Sequence, residues 1–430
     1  MHRVGEVAVV TPTCPAPTLG VVGGGQLGRM LAEAAAPLGV DVVVLDPTPD
    51  CPAARVADQV EGAFDDPDAV RELAARADLL TLEIELADPD VLEEVHAEYD
   101  VPVHPDPDTL RTIQDKLVQK RTLADAGVPV PEFVAVDDAA ELEAAAERFG
   151  GVMLKARTGG YDGRGNLPVD PGDDYAAALD EVGARAGGAM AEAFVDFDRE
   201  VSVIGVRGDG ETDAFPLGEN LHEAEILRET VVPARSDPAV AARAREVALD
   251  TLAELDGRGV FGIELFERDG EILLNEVAPR PHNSGHWTIE GAVTSQFEQH
   301  VRAVLGWPLG ATDARAPTVS ANVLGTVDES RPARLEGVGS TLAAGDAHLH
   351  WYGKREVRPL RKMGHLTLCG SADATAADEA ADAGDGDATA ATDDLLARAR
   401  DLRDDLSFGR VEETADGADA TAATDGEADR

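Results

Sequence analysis

Lysine is nearly absent. Five residues (Lys116, Lys120, Lys155, Lys354 and Lys362) stand against 32 arginines in 430 positions. Cysteine is scarcer still: Cys14, Cys51 and Cys369 are odd in number and form no C-x-x-C pair. That excludes a disulfide framework and a cysteine zinc site. No apolar run nears the roughly 18 residues that span a bilayer. The start, MHRVGEVAVVTPTCPAPTLG, soon reaches Pro12, Pro15 and Pro17 and lacks the form of a signal peptide. Residues 1–17 therefore read as a disordered leader on a cytoplasmic protein.

Positive charge is the largest deficit, with 37 basic residues against 83 acidic ones and a formal net charge of −46. Residues 371–430 hold 18 acids and 5 bases, so most of the excess lies in the rest of the chain. Such a surface keeps a protein soluble and repels nucleic acid and anionic membranes, which excludes both as partners. It points to a salt-adapted, halophilic protein. A chain that has shed lysine retains it where a compact ammonium charge is needed, which marks the five lysines as candidates for function.

The composition is otherwise globular, 43% hydrophobic, and long enough for two or three domains. In TLGVVGGGQLGRMLAEAAAPLGVDVVVLD (18–46), Gly23, Gly25 and Gly28 have G-x-G-x-x-G spacing between a strand and a helix, and Asp46 ends the next strand. An NAD enzyme is one reading of that turn. Strands in LGVVG, VDVVVLD and DLLTLEIE alternate with helices up to about Pro107, the pattern of a small doubly wound parallel sheet. Helices are expected near 109–127. The middle region, to about 310, mixes strands (FVAV, VMLKA, REVSVIGVRG, GIELFE, EILLNEVAPR) with a helix near 239–255. Short strands fill 314–370. Beyond Gly370 the chain is rich in Ala, Asp and Thr and reads as disordered, apart from an amphipathic helix over 392–408.

Four stretches carry chemistry. LKARTGGYDGRGN (154–166) puts Lys155 on a strand before a glycine loop able to fold over phosphates, though not a Walker A loop. FGIELF and LLNEVAPRPHNSGHW place Glu264 and Glu276, with Asn275, on two apolar strands, an oxygen-only set suited to Mg²⁺ on nucleotide phosphates. His282 and His286 lie close by, but the hard oxygen neighbours argue against zinc. WYGKREVRPLRKMGH gathers Lys354, Arg355, Arg358, Arg361 and Lys362, a positive focus for an anionic group such as phosphate. EAFVDFDRE (192–200) reads as a strand whose backbone can meet an adenine edge, with Glu200 placed for ribose hydroxyls.

In order along the chain, GGGQLGRM, TGGYDGRGN, NEVAPRPHNSGHWT and YGK…RKMGH resemble the ATP-grasp superfamily. More narrowly, they are similar to the 5-(carboxyamino)imidazole ribonucleotide synthases of purine biosynthesis. The resemblance covers about 18–370 and the 392–408 helix. It implies an α/β chain, α+β in its central domain: a Rossmann-like pre-ATP-grasp domain (18–115), an ATP-grasp domain (116–313) and a small β-rich C-terminal domain (314–410). The last carries an acidic insertion around 371–391, and a disordered acidic tail (411–430) follows.

The implied ATP site comprises Lys116, Lys155, the loop Gly160, Tyr161, Asp162, Gly163, Arg164, Gly165 and Asn166, then Glu192, Ala193, Phe194, Val195, Glu200, His222, Asn275 and Glu276. Glu264 and Glu276, with Asn275, would hold Mg²⁺ or Mn²⁺. Arg280, His282 and Asn283, with Lys155, would handle the reacting carboxyl group from bicarbonate. Gln26, Leu27, Asp162, Arg164, Lys354, Arg361 and Lys362 would bind 5-aminoimidazole ribonucleotide, with Glu83 or Glu85 at its ribose. The implied reaction is ATP-dependent carboxylation of that ribonucleotide through carboxyphosphate, by a homodimer using neither NAD nor biotin. A formate-dependent glycinamide ribonucleotide transformylase shares the N-terminal turn and the basic cluster, but PRPHNSGHW favours the carboxylating enzyme. An NAD-dependent oxidoreductase accounts for little beyond 18–46.

Overall fold

The computed structural model describes residue 13 and residues 15–159, 165–183, 188–371 and 386–409. Most of the leader, the loop residues Gly160–Arg164, most of the acidic insertion and the tail lie outside them.

Runs of valine and leucine build the first layer. β1 (Leu19–Val22), β2 (Val42–Asp46), β3 (Asp58–Glu61) and β4 (Leu79–Leu82) form a parallel sheet in the order β3-β2-β1-β4. β1, β2 and β4 are buried throughout, as a sheet covered on both faces requires. β3 is polar and gave no strand signal. α1 (Gln26–Ala35), α2 (Pro67–Ala74) and α3 (Pro89–Tyr99) belong to this unit, and α4 (Pro107–Gln114) and α5 (Lys116–Asp125) lead out of it.

Two further sheets enclose the site. The smaller, in the order β5-β8-β6-β7, contains β5 (Phe133–Val136), β6 (Val152–Ala156), β7 (Asn166–Val169) and β8 (Ala189–Ala193), with α6 (Ala139–Phe149) and α7 (Tyr175–Glu181) packed together beside it. β8 is alanine-rich and ends at Ala193, so residues 192–200 are not one strand; they span a strand end, a connection and the next strand's start. The larger sheet uses β9 (Arg199–Arg207), β10 (Thr212–Ala214), β11 (Gly218–Glu223), β12 (Ile226–Val232), β13 (Gly259–Arg268), β14 (Glu271–Ala278), β15 (Thr318–Leu324), β16 (Ala347–Trp351) and β17 (Lys362–Cys369). Its order is β14-β13-β9-β11-β12-β15-β17-β16, with β10 on β9. β15 lies between β12 and β17, so the sheet runs unbroken from the central region into the C-terminal one.

The remaining helices are α8 (Pro238–Ala253), α9 (Thr288–Gly291), α10 (Gln296–Val304), α11 (Val338–Ala343) and α12 (Gly386–Asp404). α12 covers the helix expected over 392–408 but begins earlier and stops sooner; Leu396 and Ala399 pack on β15 and β17. Arg400 and Arg403 both pair with buried Glu229 of β12. Four helices begin Asp-Pro (α2, α3, α4, α8), and in each the Asp side chain accepts from the backbone two residues on. Proline pre-sets the first helical residue, and each such cap contributes about 0.5–2 kcal/mol. Part of the acidic load is thus local structure.

Candidate active site

A cavity of about 1330 Å³ opens between the small sheet, the large sheet and the first domain. Asp115 positions one wall. It caps α5 through Leu117 and Val118 N–H, at 3.0 and 3.2 Å, and pairs with Arg157 just beyond β6. Lys116 at the head of α5 and Lys155 on β6 are thereby held on the same cavity.

Glu264 and Glu276 stand directly opposite each other on β13 and β14, and the register shifts immediately beyond them, leaving Asn275 as the extra residue. Strand residues i and i+1 normally face opposite ways; a bulge re-aims one of them, and here Asn275 and Glu276 both line the cavity. Lys116 Nζ lies 3.0 Å from Glu276 Oε2 and holds that carboxylate down at about 2. Burial, and then the Glu276 charge, push Glu264 up to about 7. Two facing carboxylates of which one resists ionisation want a cation. With the Asn275 amide beside them, the two carboxylates make an oxygen donor set that fits Mg²⁺, which takes one or two carboxylates and completes its shell with phosphate oxygens and water.

Asn275 Oδ1 accepts from Lys155 Nζ at 3.1 Å. Lys155 also meets Glu192 Oε1 at 2.7 Å, and Lys120 meets Glu192 Oε2 at 2.8 Å. Glu192, expected at adenine, therefore has its carboxylate committed between two buried lysines. Lys120, given no role from sequence, is its second partner. Burial pulls the Lys120 ammonium down to about 8. Ala193, Phe194, Val195 and Asn166 line the same end, as do Met153, Phe197 and Phe266. The Phe197 and Phe266 rings stack with centroids 5.0 Å apart. Sequence reading missed this aromatic wall because the two residues are far apart in the chain. Glu200 pairs with His222, opposing the pull of burial and raising the imidazole overall. Gly165 lies in the turn before β7, its carbonyl accepting from Ala156. Gly160, Tyr161, Asp162, Gly163 and Arg164 lie outside the described residues.

At the centre Arg280, His282 and Asn283 line the cavity. Arg280 Nε lies 2.9 Å from Glu85 Oε1, and His282 Nε2 lies 3.3 Å from Glu264 Oε1. At the far end Gly25 and Gln26 face Lys354, Arg358, Arg361 and Lys362 across the same space. Lys354 Nζ donates to Lys362 O at 2.7 Å, and Arg361 Nη1 to Glu356 O at 2.8 Å. A second register shift, at Met363, sets the strand position of Lys362.

The glycine turn itself is occupied by protein. Glu83 Oε1 accepts from Gly25 N at 2.6 Å. A Cβ on Gly23 would come within 2.5 Å of the Glu83 side chain, and one on Gly25 within 2.8 Å. Gly23 and Gly25 therefore make room for a carboxylate at the start of α1, where a dinucleotide enzyme would place a pyrophosphate. Asp46 is likewise engaged, accepting from Gly24 N at 3.0 Å and Thr48 N at 2.8 Å. This argues against the NAD reading. Glu83 does not line the cavity, whereas Glu85 does. Leu27 also falls outside the lining, its side chain packed in the core with Met30 and Leu31, so it offers a ligand only backbone.

Burial raises Glu83 from 4.5 to about 7. The folded state therefore holds the extra proton, so this group's contribution is complete below the unfolded value and is lost as pH rises towards 7. The loss is at most about 1.4 kcal/mol per pH unit. Glu83→Gln, which stays neutral, should gain stability relative to the parent as pH rises from 5 to 7, read from urea midpoints. A gap that is constant with pH would remove this titration.

Family models match in three consecutive segments: a ribonucleotide synthetase preATP-grasp domain over 16–114, an ATP-grasp domain over 121–297, and a phosphoribosylaminoimidazole carboxylase C-terminal domain over 318–379. The N5-carboxyaminoimidazole ribonucleotide synthase of Brucella melitensis is 43% identical over 82% of this chain and 96% of its own length. That of Pseudomonas aeruginosa is 42% identical over 81% and 94%. The Thermotoga maritima synthetase structure superposes with a TM-score of 0.78 at 37% identity, covering 91% of this chain and 99% of that one. An Aspergillus clavatus synthase in complex with ADP and 5-aminoimidazole ribonucleotide gives 0.78 at 33%, covering 91% and 100%. With these relatives covered over most of their length, the chain is a member of the N5-carboxyaminoimidazole ribonucleotide synthase family, ATP-grasp ligases that use ATP to form a C–N bond.

Proposed function

We propose that this chain carboxylates 5-aminoimidazole ribonucleotide with bicarbonate, converting ATP to ADP and phosphate. The observation that carries the reading is one cavity with a carboxylate–lysine end, an Arg280–His282–Asn283 centre and a basic far end. Adenine lies against Phe194, Val195, Phe197 and Phe266, with Glu200 and His222 at the ribose. Glu264 and Glu276, with Asn275, would hold Mg²⁺, which would supply positive charge to the transferring phosphoryl group. Lys116 and Lys155 supply fixed positive charge to the same oxygens. A bicarbonate oxygen attacks the γ-phosphorus and ADP leaves; the carboxyphosphate so formed is oriented by Arg280, His282 and Asn283. The exocyclic amine of the ribonucleotide then bonds to the carboxyl carbon, directly or after CO₂ release. The C–O bond to phosphate breaks and the amine loses a proton.

Glu85 meets the ribonucleotide's ribose. Gln26, the Leu27 backbone, Lys354, Arg361 and Lys362 meet its phosphate side, and Asp162 and Arg164 of the glycine loop its ring. No helix among the described residues is long and apolar enough to cross a membrane; a cytoplasmic homodimer adapted to salt completes the proposal.

With protein, Mg²⁺, ATP and bicarbonate, phosphate release should depend on added 5-aminoimidazole ribonucleotide and should rise from low to multimolar KCl. No release at any salt concentration would overturn the activity. Stimulation by formate with glycinamide ribonucleotide would select the transformylase. Full activity and stability at low salt would remove the salt adaptation alone.

A further inference from the structure

Gln296, the first residue of α10, is fully buried, and its carboxamide is spent on the loop from His282 to His286. Its Oε1 accepts from His282 N at 2.9 Å, and its Nε2 donates to His282 O at 2.8 Å. The second Nε2 proton points to His286 Nδ1 at 3.4 Å. The amide orientation follows, because only oxygen can accept from the His282 N–H. The approach requires Gly285, where a Cβ would fall 2.4 Å from Gln296 Oε1. Gln296 is fixed in turn by its own N–H, which donates to Thr288 Oγ1 at 2.9 Å, while that hydroxyl donates to Gly285 O at 2.6 Å. The His282 imidazole is then held at both nitrogens, Nδ1 against Ser284 Oγ at 2.9 Å and Nε2 against Glu264 Oε1 at 3.3 Å.

We infer that Gln296 is a positioning residue for His282. It clamps both backbone polar groups of His282, so that the imidazole stands between the Glu264–Glu276 pair and the carboxyl group in transfer. The inference rests on the bicarbonate role proposed for His282. Loops are where a site loosens by an ångström or so, and a buried bidentate amide from a helix start is what prevents it. Backbone groups left without partners would also drift towards other partners, since burying them unpaired is costly.

The test compares Gln296→Met, which keeps volume but removes every hydrogen bond, in the parent and in a His282→Ala background, in CO₂-depleted buffer with bicarbonate varied. In the parent the KM for bicarbonate should rise about tenfold, the change that losing about one hydrogen bond's worth of positioning makes, with the KM for ATP unchanged. In the His282→Ala background the same substitution should change it less than about threefold, since coupled residues are non-additive. An equal effect in both backgrounds, or an unchanged bicarbonate KM in the parent, overturns the inference. Should Gln296→Met fail to fold, Gly285→Ala pushes on the carboxamide from the other side and carries the same expectations. If His282→Ala alone leaves the bicarbonate KM unchanged, the proposed role of His282 fails, an outcome distinct from failure of the clamp.

Discussion

Replacing Glu276 with glutamine should cut turnover about a thousandfold, or about 4 kcal/mol of transition-state stabilisation, while the protein stays folded. The amide preserves shape at the bulge, so β13 and β14 keep their pairing. What disappears is a carboxylate that Lys116 holds ionised at 3.0 Å and that faces Glu264 across the strands. The remaining carboxylate loses the like-charge neighbour that helps hold its proton, and a divalent ion loses half of its charged protein ligands. Raising Mg²⁺ should recover part of the activity, because affinity for the ion is among the quantities lost. Turnover within threefold of the parent at low Mg²⁺ would remove Glu276 from the metal site.

The second large effect is on stability. Glu192 has a side chain 4% accessible, between Lys120 at 2% and Lys155 at 8%. Burial alone would raise this carboxylate, yet the two ammonium groups hold it below its ordinary value. Truncation to alanine leaves two buried cations facing each other with no anion. Removing one partner of a buried ion pair costs about 3–5 kcal/mol, most of it the penalty of the charge left behind. Glu192→Ala should accordingly lower the urea midpoint sharply, and adding Lys120→Met should restore part of it. No recovery in the double variant would show that the loss comes from the cavity rather than from stranded charge. A midpoint unmoved by Glu192→Ala would show that the three groups are not coupled.

Much of the chain could be read directly. The valine and leucine runs VVVLD and LLTL read as buried parallel strands, and they are. β3 and β8 escaped because a polar DQVE and an alanine-rich AMAEA carry little periodic signal. Their pairing comes from neighbouring strands rather than from their own residues. The stretch after Glu192 was misread for the same reason: Phe194 and Val195 look like strand residues, but they lie beyond the last strand position, Ala193.

The site divides in the same way. Lysine scarcity and a few motifs marked Lys116, Lys155, Glu264, Glu276, Lys354 and Lys362 as candidates, because rare or clustered charge in an acidic chain is visible without a fold, and all six line one cavity. Their use was decided in three dimensions. Bulges brought Asn275 and Glu276 onto one face and set the strand position of Lys362, and strand register is a property of two segments rather than one. The glycine turn shows the difference most clearly. Its spacing required a tight strand-to-helix turn, and the sequence by itself determined that much. Only the tertiary structure determined what the turn holds, because the group that takes the Gly25 N–H at the start of α1 is the carboxyl of Glu83, brought there by β4 from more than fifty residues away.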